Sequence, residues 1–310
     1  MREAILLLPG VLAAAGGGEL FVRGTVGGAA RARIAPGIIA ATVAAFATSS
    51  PELSVAVNSA SAGRPEISLG DVLGSNVVNI GLVLAIAMLL GGLRPRRRDL
   101  RRDLPPAIGA PILVLVLGLD GRLSRFDAAV MLAAFAGWLV FTIIQAARER
   151  SAIAEVTADR TGWQVARDGV LGLVLLILAG RLIVLAASDF GELLGWDTFT
   201  VGAVLVAIAT SVPELATVIM ARIRGHDEVS AGTVLGSNIF NGLLVIGVAA
   251  TITPIPIVWD EFRITVLAGL VTVLMVIPGR SGRLGPRRGG LLLTVYVAYV
   301  AALLVTHATG

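Results

Sequence analysis

Residues 47–52 read ATSSPE and residues 209–214 read ATSVPE, each within an apolar segment. The two motifs lie 162 residues apart, and the same offset relates LGSN at residues 73–76 to LGSN at residues 235–238. Between the motifs, further glycine and serine positions repeat in the same register: Gly63 and Gly225, Ser68 and Ser230, Gly70 and Gly232. We conclude that a duplication built the chain and that each copy places one carboxylate inside an apolar segment.

The composition is that of an integral membrane protein. Of the 310 residues, 56% are hydrophobic and 15% are charged, whereas soluble domains contain about 45–50% apolar residues. All 25 basic residues are arginine, but they fall between apolar segments without interleaved aromatic residues, which argues against a nucleic-acid partner. Because the chain has no cysteine, disulfides and thiolate metal sites are excluded.

Hydropathy predicts an all-α integral membrane protein with ten transmembrane helices. A helix needs about 20 mostly apolar residues to cross the hydrocarbon layer. Segments of this kind are found at residues 4–22, 36–62, 68–92, 105–119, 126–147, 167–188, 199–223, 230–252, 261–278 and 289–306.

Five spans fall in each copy, and an odd number of spans inverts the second copy relative to the first. We therefore predict two inverted five-helix repeats, residues 1–147 and 167–310, within one transport domain. A short cytoplasmic linker, residues 148–166, is expected to join them.

The arginine residues predict the orientation of the chain. Cytoplasmic loops of membrane proteins are enriched in basic residues. Alternate ends of the predicted spans carry 19 and 5 arginines, and the remaining one, Arg181, lies inside a span. We expect the side with 19 to face the cytoplasm, which leaves both termini outside it. The predicted location is the cell (inner) membrane, where the protein would contact lipid and function as a monomer.

Two prolines predict helix breaks in the middle of their spans. Pro51 and Pro213 lack the N–H group that would bind the carbonyl four residues earlier, so the carbonyls of Ala47 and Ala209 should be released. In a membrane, such a break is tolerated only where it is buried in protein or lines a cavity.

The residues around the two breaks are rich in oxygen, which hard cations such as Ca²⁺ and Na⁺ prefer. Glu52 and Glu214 are accompanied by four hydroxyl side chains: Thr48, Ser49, Thr210 and Ser211. Two more spans add polar residues after a glycine that should permit a bend: Ser75, Asn76, Asn79, Ser237, Asn238 and Asn241. We therefore expect four discontinuous helices to meet at the midplane. Burial of an acidic residue at a helix centre costs about 2.5–3.5 kcal/mol, so two such residues in register indicate a cation site.

The duplicated pattern resembles the cation/calcium antiporter superfamily, and within it the prokaryotic sodium/calcium exchangers. The family motif is approximately G-T-S-x-P-E followed by G-S-N-x-x-N or G-S-N-x-x-D. The resemblance implies a secondary active transporter that exchanges Na⁺ for Ca²⁺ by alternating access, without a cofactor. It also implies that the first and sixth spans move against the other eight.

Carried onto matching positions, the resemblance implies that Glu52 and Glu214 are the central Ca²⁺ ligands. Further ligands of the shared Na⁺ and Ca²⁺ sites would be Thr48, Ser49, Ser75, Thr210, Ser211 and Ser237, with the carbonyls of Ala45 and Ala207. Asn79 and Asn241 are candidate ligands that could instead only hold neighbouring helices. The same alternative, a bond between helices, applies to Asn76 and Asn238.

Two departures from the family pattern affect these expectations. The glycine before the threonine is Ala47 in one copy and Ala209 in the other, which stiffens each break slightly. The position that is aspartate in some exchangers is Asn241 here. This substitution makes the site more symmetric, lowers its negative charge and leaves the ion preference open.

The sequence leaves alternative functions open. A proton/Ca²⁺ antiporter or a potassium-dependent exchanger would use the same two glutamates, and a passive cation channel would share the polar lining. An enzyme is not expected, because the histidines are His226 and His307 alone, and neither an HExxH motif nor a Ser-His-Asp arrangement is present.

Overall fold

A computed structural model of the chain describes residues 2–150, 161–194, 198–279 and 282–309. Nearly all of these residues are helical, which confirms the predicted all-α membrane protein. The helices of the first half are α1 (Arg2–Ala32), α2 (Pro36–Thr48), α3 (Ser50–Ser61), α4 (Pro65–Leu89), α5 (Arg97–Leu117) and α6 (Arg125–Arg150). Those of the second half are α7 (Gly162–Leu194), α8 (Val201–Thr210), α9 (Val212–Ile223), α10 (Asp227–Ile252), α11 (Trp259–Leu274) and α12 (Pro286–Thr309).

Each predicted span coincides with one helix or with one bent pair of helices. Within the described part of the chain, six helices are long and apolar enough to cross a membrane, or eight spans if each bent pair counts as one. The helices α4 and α10 are the most buried, with 83% and 78% of their apolar windows inside the protein, against 22–33% for the other four. These two helices therefore form the core, and the others surround them.

The first helix is longer than predicted. We expected a span over residues 4–22, but α1 continues to Ala32, and no proline interrupts the chain between Pro9 and Pro36. The helix ends where Arg33 adopts a left-handed conformation (φ 55°). The N–H groups of Arg33 and Ile34 then bind the carbonyls of Ala30 and Ala29, which is a Schellman motif.

Glycines end the helices α3 and α9 in the same way. Gly63 has φ 73° and its repeat counterpart Gly225 has φ 78°, conformations that favour glycine. In both places the residue after the glycine donates its N–H to the carbonyl five positions earlier. The two turns therefore return the chain sharply into the core helices α4 and α10.

The predicted breaks at the two prolines are present. The helices α2 and α3 meet at 42°, and α8 and α9 meet at 45°. The junction residues are Ser49 (φ −81°, ψ 10°) and Ser211 (φ −79°, ψ 4°), and each proline lies in the first turn of the following helix, where its missing N–H costs no helical hydrogen bond.

The released carbonyl of Ala47 does not remain available as expected. It accepts a hydrogen bond from the hydroxyl of Ser50 at 2.8 Å. The counterpart of Ser50 in the second copy is Val212, which has no hydroxyl to offer to Ala209. The two breaks are thus similar in shape but differ in the donors that surround them.

The expectation of four discontinuous helices was wrong for two of the four. The helices α4 and α10 run without a sharp bend and contain a wide π-helical segment instead, at Asn79–Leu84 and Phe240–Val245. Their glycines serve packing rather than bending. A Cβ atom at Gly74 would lie under 3.0 Å from the carbonyl oxygen of Ala203, and one at Gly236 equally close to that of Ala41. Small residues of this kind allow membrane helices to approach closely.

The close contacts come in reciprocal pairs. Gly74 of α4 crosses the second bent pair at Ala203, and its counterpart Gly236 of α10 crosses the first bent pair at Ala41. The loops behave similarly: β1 (Arg122–Leu123) pairs with β2 (Ile255–Pro256), and Leu93 forms the corresponding bridge with Leu284. This reciprocity is what two repeats related by a two-fold axis would produce.

The helices α1 and α7 pack against each other through glycine. A Cβ atom at Gly24 would overlap the backbone of Gly169, and one at Gly172 would overlap that of Phe21. On another face, α1 approaches α9 where Gly18 lies against Ala216. The helices α1 and α7 therefore pack backbone to backbone, and Gly18 allows a close approach to α9 as well.

We expect Gly236→Ala to destabilise the fold, because the added methyl group would overlap the Ala41 carbonyl, and overpacking costs about 1–3 kcal/mol. The matched control is Gly137→Ala on α6, where nothing lies within 4 Å of the added atom. Thermal unfolding in detergent should show a lower Tm for the first variant and an unchanged or higher Tm for the second. Equal Tm values would contradict the close helix crossing.

Candidate cation-binding site

The structure brings the two helix breaks together between α4 and α10. All twelve residues predicted to bind cations are buried, with at most 3% of their surface exposed. Buried polar groups are costly without partners, so a concentration of oxygen atoms at this depth requires hydrogen bonds or cations to be stable. The oxygen atoms form two clusters, described in turn below.

The first group, here called the Glu214 cluster, consists of Ala45, Thr48, Ser49, Glu214 and Ser237. The hydroxyls of Ser49 and Ser237 both donate to Oε1 of Glu214 at 3.1 Å. The hydroxyl of Thr48 lies 3.5 Å from that of Ser237 and 3.3 Å from the carbonyl oxygen of Ala45. Both halves of the chain contribute to this cluster, which makes it a contact between the repeats.

The second group, here called the Thr210 cluster, consists of Asp71, Ser75, Ala207 and Thr210. The hydroxyl of Thr210 donates to Oδ1 of Asp71 at 3.0 Å. The hydroxyl of Ser75 lies 3.3 Å from that of Thr210 and 3.5 Å from the carbonyl oxygen of Ala207. Except for Asp71, the members of this cluster are repeat counterparts of Thr48, Ala45 and Ser237.

The oxygen atoms within each cluster are close enough to one another to contact the same cation. Around a hard cation with oxygen ligands at about 2.4 Å in octahedral geometry, neighbouring oxygens lie about 3.4 Å apart. The separations in the two clusters run from 3.0 to 3.5 Å. These separations are also hydrogen-bond distances, so a cation bound in either cluster would take the place of hydrogen bonds between its members.

Glu52 differs from Glu214 in its surroundings. It is fully buried, but neither of its carboxylate oxygens has a hydrogen-bond partner. The charges of Glu214 and Asp71 both repel a charge on Glu52. Its natural donor by repeat symmetry, the hydroxyl of Ser211, is also without a partner. A buried carboxylate in this position is costly unless a cation or a proton compensates its charge.

The asparagines hold the two core helices together. Asn76 donates to the backbone carbonyl of Asn238 at 3.4 Å, and Asn238 donates back to that of Asn76 at 3.0 Å. Asn79 donates to the side chain of Asn238 at 3.1 Å. The structure thus favours the bonding interpretation for Asn76 and Asn238. The side-chain oxygens of Asn79 and Asn241 have no partner, so both are still able to bind a cation.

Our sequence reasoning missed Asp71. Asp71 does not repeat at the offset of 162 that relates the other site residues, because its counterpart is Thr233. A different signal was available, since Asp71 is an acidic residue inside a predicted span, four positions before Ser75. Residues four apart lie on the same face of a helix.

The buried acids do not converge on a single point. Among the residues that the structure describes, no three histidine or acidic side chains form a group that could hold one metal ion. The negative charge is instead distributed between the two clusters and Glu52. This distribution suits several cation positions better than one.

A family model described as sodium/calcium exchanger protein matches residues 3–144 and 169–305. The chain belongs to the sodium/calcium exchanger protein family. Members of this family are transporters, not enzymes, which confirms the prediction that the chain is not an enzyme. The resemblance to prokaryotic sodium/calcium exchangers is confirmed as well.

Known proteins of similar sequence and fold support the assignment of the chain to this family. The inner membrane protein YrbG of Escherichia coli (strain K12) is 32% identical over 285 residues, with 87% of each chain covered. The sodium/calcium exchanger MaX1 of Methanosarcina acetivorans is 23% identical, with 96% of this chain and 97% of MaX1 covered. A solved structure of the sodium-calcium exchanger NCX_Mj, soaked with Na⁺ and Sr²⁺, superposes with a TM-score of 0.83 at 25% identity, covering 97% and 98% of the two chains.

We expect Ser237→Ala to raise the Ca²⁺ concentration for half-maximal transport about tenfold. The variant removes an oxygen atom from the Glu214 cluster and a donor to Glu214, and a hydrogen bond to a charged group contributes about 1.5–3 kcal/mol. The matched control is Ser59→Ala on α3, whose hydroxyl binds only the Ala56 carbonyl of its own helix. Concentration-dependent uptake of radiolabelled Ca²⁺ into proteoliposomes measures both. If the two variants behave alike, Ser237 does not belong to the site.

Proposed function

We propose that this exchanger transports Na⁺ in one direction and Ca²⁺ in the other across the cell membrane, by alternating access at Glu52 and Glu214. The observation that carries the proposal is the arrangement of the two glutamates at helix breaks, fully buried and surrounded by oxygen atoms from both halves of the chain. The matching family and two similar proteins, MaX1 and NCX_Mj, are sodium/calcium exchangers by name, which supports Na⁺ and Ca²⁺ as the transported ions. No resident cofactor is part of the proposal.

The charge of the site explains why the two ions would be exchanged rather than transported independently. Two ionised glutamates carry a charge of −2, which one Ca²⁺ balances, whereas several Na⁺ ions can take its place. Because both loads would use the same oxygen ligands, they compete for the site. Moving the two bare carboxylates through the membrane without a cation is energetically costly. The site would therefore become accessible from the other side of the membrane only when it holds a cation.

The packing of the helices indicates which part would move. The helices α1 and α7 contact each other through glycine, and α1 contacts α9 through Gly18 and Ala216. The remaining helices are connected by the reciprocal crossings of α4 and α10 and by the two loop pairings at Leu93 and Leu123. We propose that α1 and α7 slide as a pair along this connected body. The site then opens first to one side and then to the other.

The predicted domain organisation is retained as part of the proposal. Residues 1–147 would form the first repeat and residues 167–310 the second, which the reciprocal contacts support. The predicted linker, residues 148–166, falls mostly on residues 151–160, which lie outside the described residues. At its two edges, α6 extends to Arg150 and α7 begins at Gly162.

The central test is uptake of radiolabelled Ca²⁺ into proteoliposomes that are loaded with Na⁺ and diluted into Na⁺-free buffer. We expect uptake that needs internal Na⁺, persists when the pH gradient is collapsed, and disappears in the Glu52→Gln, Glu214→Gln double variant. The matched control is Asp260→Asn, which removes an exposed carboxylate paired with Arg263 and should leave uptake intact.

Other outcomes would change the proposal in a defined way. Uptake driven by a pH gradient without Na⁺ would assign proton/Ca²⁺ exchange to the same glutamates. A requirement for K⁺ together with Na⁺ would assign potassium-dependent exchange. Flux that does not saturate and needs no counter-ion would indicate a channel.

We also propose that the protein lies in the cell (inner) membrane as a monomer, with both termini outside the cytoplasm. The chain has no cysteine, so a single introduced cysteine can be labelled without background. On whole cells, a membrane-impermeant maleimide should label Arg122→Cys directly and Arg98→Cys only after permeabilisation, since both positions are exposed and lie at opposite ends of α5. The reverse pattern would invert the proposed topology.

A further inference from the structure

Asp71 is a buried acid for which repeat symmetry gives no reason. It lies on the core helix α4, four residues before Ser75, and no part of it is exposed. Its Oδ1 atom accepts a hydrogen bond from the Thr210 hydroxyl, and its Oδ2 atom has no hydrogen-bond partner. No arginine pairs with it among the side chains that the structure describes. A carboxylate this deep is costly without a compensating positive charge.

We propose that Asp71 is a third anionic ligand of the transport site and binds Na⁺ together with Thr210, Ser75 and the carbonyl oxygen of Ala207. This inference rests on the proposed function and identifies a residue that sets its Na⁺ dependence. The Thr210 hydroxyl lies 3.0–3.3 Å from an oxygen atom of each of the other three groups, so all four groups are close enough to bind the same cation.

The composition of the Thr210 cluster favours a monovalent ion over Ca²⁺. One carboxylate and three neutral oxygens carry a single negative charge, which one Na⁺ balances. Ca²⁺ takes six to eight oxygen ligands, several of them usually carboxylates. Glu52, Asp71 and Glu214 do not form a group that could hold one metal ion, so we assign Asp71 to a separate Na⁺ position.

Asp71 also supplies a negative charge in place of the one that is absent at Asn241. The amide Asn241 stands where some exchangers have an aspartate, which led us to expect a site of lower charge. With Asp71, the ionised site carries −3 instead of −2. Three Na⁺ ions would then be neutralised completely, whereas one Ca²⁺ would leave a charge of −1. The additional carboxylate therefore favours the Na⁺-loaded state relative to the Ca²⁺-loaded state.

The test uses Asp71→Asn, which keeps the side-chain shape and an acceptor for Thr210 but removes the charge. In proteoliposomes, the internal Na⁺ concentration for half-maximal Ca²⁺ uptake should rise at least fivefold relative to any change in the half-saturating Ca²⁺ concentration. The matched control is Thr233→Val, which alters the repeat counterpart of Asp71 and should leave this ratio unchanged. Asp71→Thr, which introduces the residue of the second repeat, serves as a second variant if the asparagine variant does not fold.

A second measurement separates this inference from the proposed function. Purified wild-type protein in detergent should gain thermal stability when Na⁺ replaces choline, and Asp71→Asn should lose most of that gain while keeping its Tm in choline. A Na⁺-induced gain that is lost in the variant, without Na⁺-driven uptake by the wild type, would contradict Na⁺/Ca²⁺ exchange and support Asp71 as a ligand. An equal Na⁺-induced gain in both proteins, no gain in either, or proportional changes in the Na⁺ and Ca²⁺ constants would overturn the assignment of Asp71.

Discussion

Burial of negative charge inside a membrane is the constraint on which the rest of the structure depends. Glu52, Asp71 and Glu214 are fully enclosed, and none of them has a basic partner among the described side chains. Hydroxyl groups can orient these carboxylates but cannot neutralise them. A mobile cation can, and this requirement explains why helix breaks, hydroxyls and amides are concentrated at one depth of the protein.

The general fold follows from the sequence because its causes are local. A run of apolar residues long enough to cross the membrane forms a helix wherever it occurs, and a proline in its middle breaks it, as at Pro51 and Pro213. The interpretation of Gly74 and Gly236 failed for the opposite reason. Whether a glycine bends its own helix or admits a neighbouring backbone depends on what lies opposite. Here this is Ala203 and Ala41, in the other half of the chain.

The site could be predicted as far as it is duplicated. Repetition distinguished Glu52, Glu214 and their hydroxyl neighbours from ordinary polar residues, and the structure places all of them in one buried region. The same criterion rejected Asp71, because a threonine occupies its counterpart position. It also could not show that the Ala47 carbonyl would accept a hydrogen bond from Ser50. Comparison of the two repeats identifies the residues that they share, but not those, such as Asp71 and Ser50, that occur in one repeat alone.

The reciprocal crossings make each half of the molecule the packing partner of the other. A lone half would leave its glycine face, on α4 or on α10, uncovered. It could bury that face only against a second copy inserted the opposite way up. The single chain thus has the architecture of an antiparallel dimer. An unduplicated ancestor with this packing would have needed to insert into the membrane in both orientations, and gene fusion removed that need.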